Sequence, residues 1–434
     1  MVLFKKIKIE KYYLVALSSW LNKIISISIQ IISLSILAHY LSIENFAKYL
    51  IIISLVPWFQ LLDFGFGSAF QNKISEKLIN NENYESYIST YVLICSLILF
   101  IGIIVSPLIG YLISVLLNNE DNKKNIELLI YSGCSIMFIA ISIANSIQKL
   151  LYSLNKGILA NLYMSITSVT SVLLLILINK VFHSSDNKLE LSLFAYGAPI
   201  FISIFFGLIY ICINYFKKFK IREHYNNIKE LWKVASKFFL LGIFSSLVLN
   251  IDYIIMSRNL NAAQIGEYGI LYKFFFTAFS LYVGLSAAVW PRFTQLYYSK
   301  KGGEIKRIID NFHRISFVLM AIFTAFFSYF YTDVMKIIAP KMSIKFDIYL
   351  ITSFAFYILI RIWTESYSVA LQAINKIDPI IFALPFQSFI SITCQWYLSI
   401  LFGPIGIVLG LILSFLLTVS WILPLNFTLV LSRK

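Results

Sequence analysis

Residues 13–38 read YLVALSSWLNKIISISIQIISLSILA. Folded as a helix with a rise of about 1.5 Å per residue, this stretch is long enough to cross a bilayer core of about 30 Å. Its polar side chains recur every three or four positions and share one helical face: Ser19, Lys23, Ser26, Gln30 and Ser33. A lysine facing lipid would be costly, so Lys23 is expected to face protein or water. The stretch therefore predicts a membrane helix that borders a polar seam, a cavity or a pore.

The composition extends this prediction to the whole chain. Of its 434 residues, 59% are hydrophobic and only 13% are charged, and the mean hydropathy is +0.80. Soluble domains carry about a quarter charged residues, so the values indicate an all-α polytopic membrane protein. The four cysteines lie in apolar runs without metal-ligand spacing, which is typical of small buried residues.

Hydropathy predicts about twelve membrane-spanning helices. The predicted segments are 13–38, 48–70, 88–117, 127–150, 157–179, 191–215, 235–257, 266–290, 310–331, 346–372, 378–400 and 405–430. Most of the 36 lysines and arginines fall in alternate connections, as the positive-inside rule requires when both termini are cytoplasmic. This distribution accounts for the net charge of +15 without a nucleic-acid partner.

The longest connection divides the chain into two lobes of six segments. We expect an N-terminal lobe at 1–215, a basic cytoplasmic linker at 216–234 and a C-terminal lobe at 235–434. Apolar linker residues recur at helical spacing: Ile221, Tyr225, Ile228 and Trp232. The linker is either an amphipathic helix on an anionic inner leaflet or a solvated charged connection.

The two lobes have similar sequences around their second segments. At one constant offset, Leu41, Tyr49, Gly65, Ala69 and Lys73 match Leu260, Tyr268, Gly284, Ala288 and Arg292. Each lobe has an even number of spans, so the repeats have the same orientation. They are expected to be related by an axis along the membrane normal.

Charged residues inside the spans are the candidate functional groups. Lys273 and Arg361 lie on polar helical faces, as Lys23 does. Asp252 and Glu365 are candidates for ion coupling or for ion pairs, Asp252 with Lys273 at similar depth and Glu365 with Arg361 at i,i+4. Asp63, just before two glycines, is expected to shape a helix end.

Catalytic motifs are absent from the sequence. It has no phosphate-binding loop of the Walker type, no HExxH motif and no large extramembrane domain. We therefore expect no enzymatic activity, no cofactor and no metal site. Transport would draw on an ion gradient, on the membrane potential or on the gradient of the substrate.

The basic leader, the polar first helix, the turn Leu41–Tyr49 and the sequence LDFGFGSA at 62–69 resemble the polysaccharide transporter family. This family contains Wzx-type flippases of lipid-linked oligosaccharides. It belongs to the multidrug/oligosaccharidyl-lipid/polysaccharide exporter superfamily, which also holds multidrug and toxic-compound extrusion transporters. The resemblance implies two pseudo-symmetric six-helix lobes around a central cavity that opens alternately to each side.

The resemblance also implies a substrate. This is an undecaprenyl-pyrophosphate-linked glycan, moved across the bacterial inner membrane for lipopolysaccharide O-antigen or capsule synthesis. Substrate-binding residues would be Lys23, Gln30, Lys273 and Arg361, because a diphosphate needs cations and hydrogen-bond donors in its route. A proton or sodium ion would drive transport, and the polymerase and chain-length regulator of the pathway are expected partners. Two alternatives remain: an ion-coupled multidrug or organic-cation antiporter, and a membrane glycan polymerase or glycosyltransferase.

Overall fold

The computed structural model describes residues 2–117, 124–154, 156–182, 187–215, 221–341, 347–374 and 376–432. Within these ranges the side chains of residues 2–20, 79, 124–127, 221–222, 284–285, 287–288, 290–292, 294–295 and 298 lie outside the description. The regular structure of the described residues is helical throughout, which confirms the all-α prediction. The helices are α1 (Val2–Tyr40), α2 (Ile43–Ser54), α3 (Val56–Phe59), α4 (Phe66–Ile79), α5 (Glu85–Leu116), α6 (Lys124–Ser153), α7 (Gly157–Val181), α8 (Lys188–Tyr215), α9 (Ile221–Leu249), α10 (Asp252–Asn259), α11 (Ala262–Tyr298), α12 (Gly302–Tyr329), α13 (Tyr331–Ile338), α14 (Ile348–Ala373), α15 (Asp378–Phe402), α16 (Pro404–Leu417) and α17 (Val419–Ser432).

Many of these helices can cross a bilayer. In the part of the chain that the structure describes, ten segments are long and apolar enough. They are Leu21–Tyr40, Ile43–Asp63, Glu85–Leu116, Leu128–Ser153, Gly157–Val181, Lys188–Tyr215, Glu223–Asn259, Gly302–Tyr329, Ile348–Ala373 and Pro404–Ser432. The other two predicted segments, 266–290 and 378–400, lie in the helices α11 and α15. Polar residues such as Gln387 and Gln395 lower the hydropathy of α15, and part of 266–290 lies outside the described side chains.

The chain divides into two compact units. Unit 1 comprises Met1–Leu41 and Ile52–Ile243, and unit 2 comprises Ser42–Ile51 and Phe244–Lys434. The lobe boundaries inferred from the sequence, and the symmetry between the lobes, stay predictions. The side chains of Ala288 and Arg292, and the surroundings of Gly284, all in the second repeat, lie outside the described part.

In unit 1, α6 is the central helix and packs against α4, α5, α7 and α8. The helix α5 shows why the packing takes this form. Its buried face carries Gly102, Ser106 and Gly110, one turn apart, which lets α5 approach α6 closely. The opposite face exposes 63% of Phe100 and 62% of Ile104. This division into a small-residue face and an apolar exposed face is typical of a helix with one side in lipid.

In unit 2, α14 is the central helix and packs against α11, α12, α16 and α17. The helices α15 and α16 also pack against each other, and glycine permits their contact. A Cβ on Gly406 would lie 1.9 Å from the carbonyl oxygen of Leu398, and one on Gly410 would lie 2.5 Å from the amide nitrogen of Gln395. Backbone contact at this distance excludes any larger side chain.

The predicted linker begins outside the described residues, at 216–220, and its remainder, 221–234, is helical as the first half of α9. Leu231 and Ala235 are buried, whereas Tyr225 and Trp232 expose 64% and 53% of their surface. The helical conformation is therefore confirmed, and its attachment to a membrane surface stays a prediction.

Candidate functional site

Lys23 lies on α1, which packs against α7 within unit 1. Lys23, Ser26 and Ser33 are half-buried and Gln30 is exposed, while the side chain of Ser19 lies outside the described part. Among the described residues, no carboxylate lies within ion-pair distance of Lys23. Within the described part of the chain, the predicted polar seam thus carries a cation without a neighbouring carboxylate.

Arg361 is held by aromatic rings of unit 2. It is buried, and its guanidinium carbon lies 4.1 Å from the ring centroid of Phe279 and 5.7 Å from that of Phe276, both on α11. The ring of Tyr357, one turn earlier on α14, lies at 5.8 Å. Such cation–π contacts contribute about 0.5–2 kcal/mol each. Within the described residues, Glu365 does not come within ion-pair distance of Arg361.

Asp252 bonds to a hydroxyl and a backbone amide. The Tyr268 hydroxyl donates a hydrogen bond to Oδ2 at 2.8 Å, and the Tyr253 amide donates to Oδ1 at 2.9 Å. Lys273 is half-buried on α11 and forms no ion pair with Asp252. The structure therefore brings Arg361 and the aromatic rings of α11 together, and it keeps Asp252 and Lys273 apart. Substrate binding by any of these residues stays a prediction.

The aromatic face of α11 is a feature that the sequence analysis missed. Its rings lie in one row of successive neighbours, at centroid distances of 6.0, 5.4, 5.8 and 6.3 Å: Tyr268, Tyr272, Phe276, Phe279 and Tyr282. At the end of this row, the Tyr282 hydroxyl is hydrogen-bonded to Ser366 on α14 at 2.6 Å. The spacing of three and four residues between these aromatic residues predicts a continuous aromatic stripe on one helical face.

A polar cavity in unit 1 is the second missed feature. Its volume is about 360 Å³. It is lined by Gln60 and Asp63, from the 3₁₀ turn Gln60–Asp63, and by five residues of α6: Ser142, Asn145, Ser146, Gln148 and Lys149. The recurrence of polar residues at three- and four-residue intervals could have revealed this face of α6.

Asp63 shapes the helix end, as the sequence predicts. Its Oδ1 accepts a hydrogen bond from the Gly65 amide at 2.8 Å, and Phe64 and Gly65 adopt left-handed conformations with φ of 49° and 75°. Glycine adopts this conformation at little cost. It is also required for space here, because a Cβ on Gly65 would lie 2.2 Å from the carbonyl oxygen of Ala235.

A network of polar contacts joins α4, α5 and the start of α9. Lys73 forms ion pairs with Glu230 at 3.0 Å and with Glu76 at 3.3 Å. The Tyr87 hydroxyl donates a hydrogen bond to Glu230 at 2.6 Å. The hydrogen bond to Glu230 raises the pKa of Lys73 above its usual range, so Lys73 is charged at physiological pH. The described residues contain no group of three metal-ligating side chains.

Comparisons with known proteins connect this architecture to a family. The sequence profile of a family described as polysaccharide biosynthesis protein matches residues 16–297. A candidate O-antigen export protein of Yersinia pseudotuberculosis is 31% identical over 425 residues, covering 97% of this chain and 96% of that protein. A candidate O-antigen transporter of Salmonella typhi is also 31% identical, covering 97% of each chain.

Solved structures share the fold at low sequence identity. The lipid II flippase MurJ, in an inward closed conformation, superposes with a TM-score of 0.72 at 17% identity, covering 95% of this chain and 87% of that one. A multidrug resistance transporter of the MATE family, in an inward-facing conformation, gives a TM-score of 0.73 at 12% identity, covering 96% and 98%. These structures confirm a polytopic transporter fold for the chain.

Proposed function

Because this chain belongs to the polysaccharide biosynthesis protein family, we propose that it is a flippase for a lipid-linked oligosaccharide. Its substrate would be an undecaprenyl-pyrophosphate-linked repeat unit, moved across the bacterial inner membrane for O-antigen or capsule synthesis. The observation that carries the proposal is the match over nearly the whole chain to proteins described as candidate O-antigen transporters. The multi-pass helical fold supports it.

The intramembrane cations fit the charge of this substrate. A diphosphate needs opposite charge and hydrogen-bond donors to leave water, whereas its polyprenyl chain stays in lipid. In our proposal, Lys23 and Lys273 contact the diphosphate and Gln30 contributes a donor. Arg361 acts as a fixed charge because the rings of Phe276 and Phe279 hold it in place.

Alternating access is the transport cycle that we propose. The two lobes, 1–215 and 235–434, would open a shared cavity to one membrane side and then to the other, with both termini in the cytoplasm. A proton or a sodium ion would drive the cycle, and Asp252 and Glu365 are candidates for coupling. The polymerase and chain-length regulator of the same pathway are proposed partners.

Deletion of the gene in its source bacterium tests the function. Surface glycan should be lost, and undecaprenyl-linked repeat units should accumulate in the inner leaflet, because synthesis continues while export stops. Thin-layer chromatography of extracted lipids and immunoblotting of surface glycan measure the two effects, and a plasmid copy should restore export. Unchanged surface glycan together with sensitivity to cationic drugs would contradict the proposal and indicate a drug antiporter.

A further inference from the structure

The helix break at Asp63 is specific to the first half of the chain. Offset by the constant that aligns Gly65 with Gly284, Asp63 corresponds to Tyr282. The backbone around Tyr282 is continuous within α11. In the first half, by contrast, the helix ends in the 3₁₀ turn Gln60–Asp63, and a new helix, α4, begins at Phe66. A break that the matching segment lacks indicates a local role, since interrupted membrane helices commonly expose backbone and side-chain groups to ligands.

The break places the carboxylate of Asp63 at the polar cavity of unit 1, and one of its two oxygens forms no hydrogen bond to the side chains that line this cavity. Oδ1 accepts the Gly65 amide hydrogen bond, but Oδ2 lies 3.8 Å from the ammonium nitrogen of Lys149, beyond hydrogen-bond distance. That ammonium instead donates to the Ser68 hydroxyl at 3.2 Å. The Asp63 side chain is 13% exposed, whereas the Lys149 side chain is 38% exposed. The ammonium can therefore withdraw while the carboxylate stays fixed.

The cavity lining defines the chemistry of a ligand. Apart from Asp63 and Lys149, its lining consists of uncharged side chains that each carry an oxygen, two hydroxyls and three amides: Ser142, Ser146, Gln60, Asn145 and Gln148. Hard cations prefer such oxygens. Divalent cations usually take more than one carboxylate, and Asp63 is the single one lining this cavity. A proton needs one carboxylate oxygen and no further donors, so the oxygen-rich lining favours a monovalent metal cation.

We propose that Asp63 binds an alkali-metal cation in exchange for the ammonium of Lys149. With Lys149 in place, the cavity holds one negative and one positive charge. When a cation enters and the ammonium leaves, the charge in the cavity stays balanced. The carboxylate is thus neutralised in both states, which avoids the cost of a buried unpaired charge. A role of this exchange in driving transport rests on the proposed function, whereas cation binding itself does not.

Thermal unfolding of the purified full-length protein in detergent tests the site. Sodium, lithium and potassium chloride are compared with choline chloride at equal ionic strength. Binding to the folded state should raise the Tm of the wild type by about 2–4 °C at saturating cation. Asp63→Asn should abolish this shift. Lys149→Met should move the half-maximal shift to lower cation concentration, because the competing ammonium is gone.

Two further variants separate binding from general damage. Gly67→Ala would place a Cβ 2.6 Å from Oδ2 of Asp63 and should weaken the response without removing a ligand. Lys156→Met removes a lysine that bonds to the Tyr210 hydroxyl at 2.6 Å and does not line the cavity, so its response should equal that of the wild type. The inference is overturned if no alkali cation shifts the wild type, if only pH does, or if Asp63→Asn responds normally. Normal glycan export alongside any of these results would leave the proposed function intact.

Discussion

Removal of one hydroxyl from the interior of unit 2 should destabilise the protein measurably. Tyr268 is 0% exposed and donates a hydrogen bond of 2.8 Å to Asp252, which is 3% exposed. Tyr268→Phe deletes this donor and keeps the ring, which packs edge-to-face on Tyr253 at 5.7 Å and contacts Phe354 at 5.2 Å. The variant therefore tests the hydrogen bond with little change in apolar packing.

The expected cost follows from burial and charge. A hydrogen bond to a charged group contributes about 1.5–3 kcal/mol, and its loss leaves Oδ2 of Asp252 without this donor in a site closed to water. For a cooperative unit of 150–250 residues, about the size of unit 2, this cost lowers Tm by about 3–12 °C.

The assay is thermal unfolding in detergent, with a double-mutant cycle that adds Asp252→Asn. Tyr272→Phe is the matched control, because Tyr272 neighbours Tyr268 on α11 and its hydroxyl has no hydrogen-bond partner among the described residues. Tyr272→Phe should stay within about 0.5 kcal/mol of the wild type. The reasoning is refuted if Tyr268→Phe costs no more than this control, or costs the same whether Asp252 is present or replaced.

The remaining predictions concern transport and topology. Lys23→Arg should keep part of the glycan export because the charge survives, whereas Lys23→Met should abolish it at normal protein level; full export by the Met variant would remove Lys23 from the site. Exchange of Arg361 and Glu365 should leave export inactive, since Phe279 holds the cation at its present position, and an active exchanged protein would indicate a simple ion pair. Cysteine labelling should reach residues 217–233 from the cytoplasm and 118–125 from outside, and the reverse pattern would contradict the topology.

Structural features that follow from a regular spacing of residues could be predicted from the sequence. Hydropathy identified the helices because a bilayer requires long apolar segments, and the stripe of Lys23 on α1 followed from helical spacing. The helix-end role of Asp63 could also be predicted, because the glycines that follow it mark a break. These inferences depend on local sequence alone, and the function of the stripe stays a prediction.

The contacts of the buried charged side chains could not be predicted, because they depend on how neighbouring helices are oriented toward each other. The i,i+4 spacing allowed Arg361 to pair with Glu365, but rings from α11 occupy the position over its guanidinium. Depth in the membrane predicts that Asp252 lies level with Lys273, yet depth carries no information on lateral direction. The Asp252 carboxylate accepts a hydrogen bond from Tyr268 instead. The cavity beside Lys149 was missed for the same reason, since its two walls come from separate segments of unit 1.

The two units hold their buried charges in different ways, and the difference bears on mechanism. In unit 2, Arg361 lies against several rings and Asp252 accepts two hydrogen bonds, so moving either group breaks several contacts together. In unit 1, the pair of Asp63 and Lys149 is separated by 3.8 Å, and one member is partly exposed. Electrostatic preorganisation favours a fixed cation such as Arg361 where an anionic substrate must be recognised repeatedly in one geometry. Exchange of one cation for another requires the opposite, a contact weak enough to break in each cycle, and the contact between Asp63 and Lys149 meets that requirement.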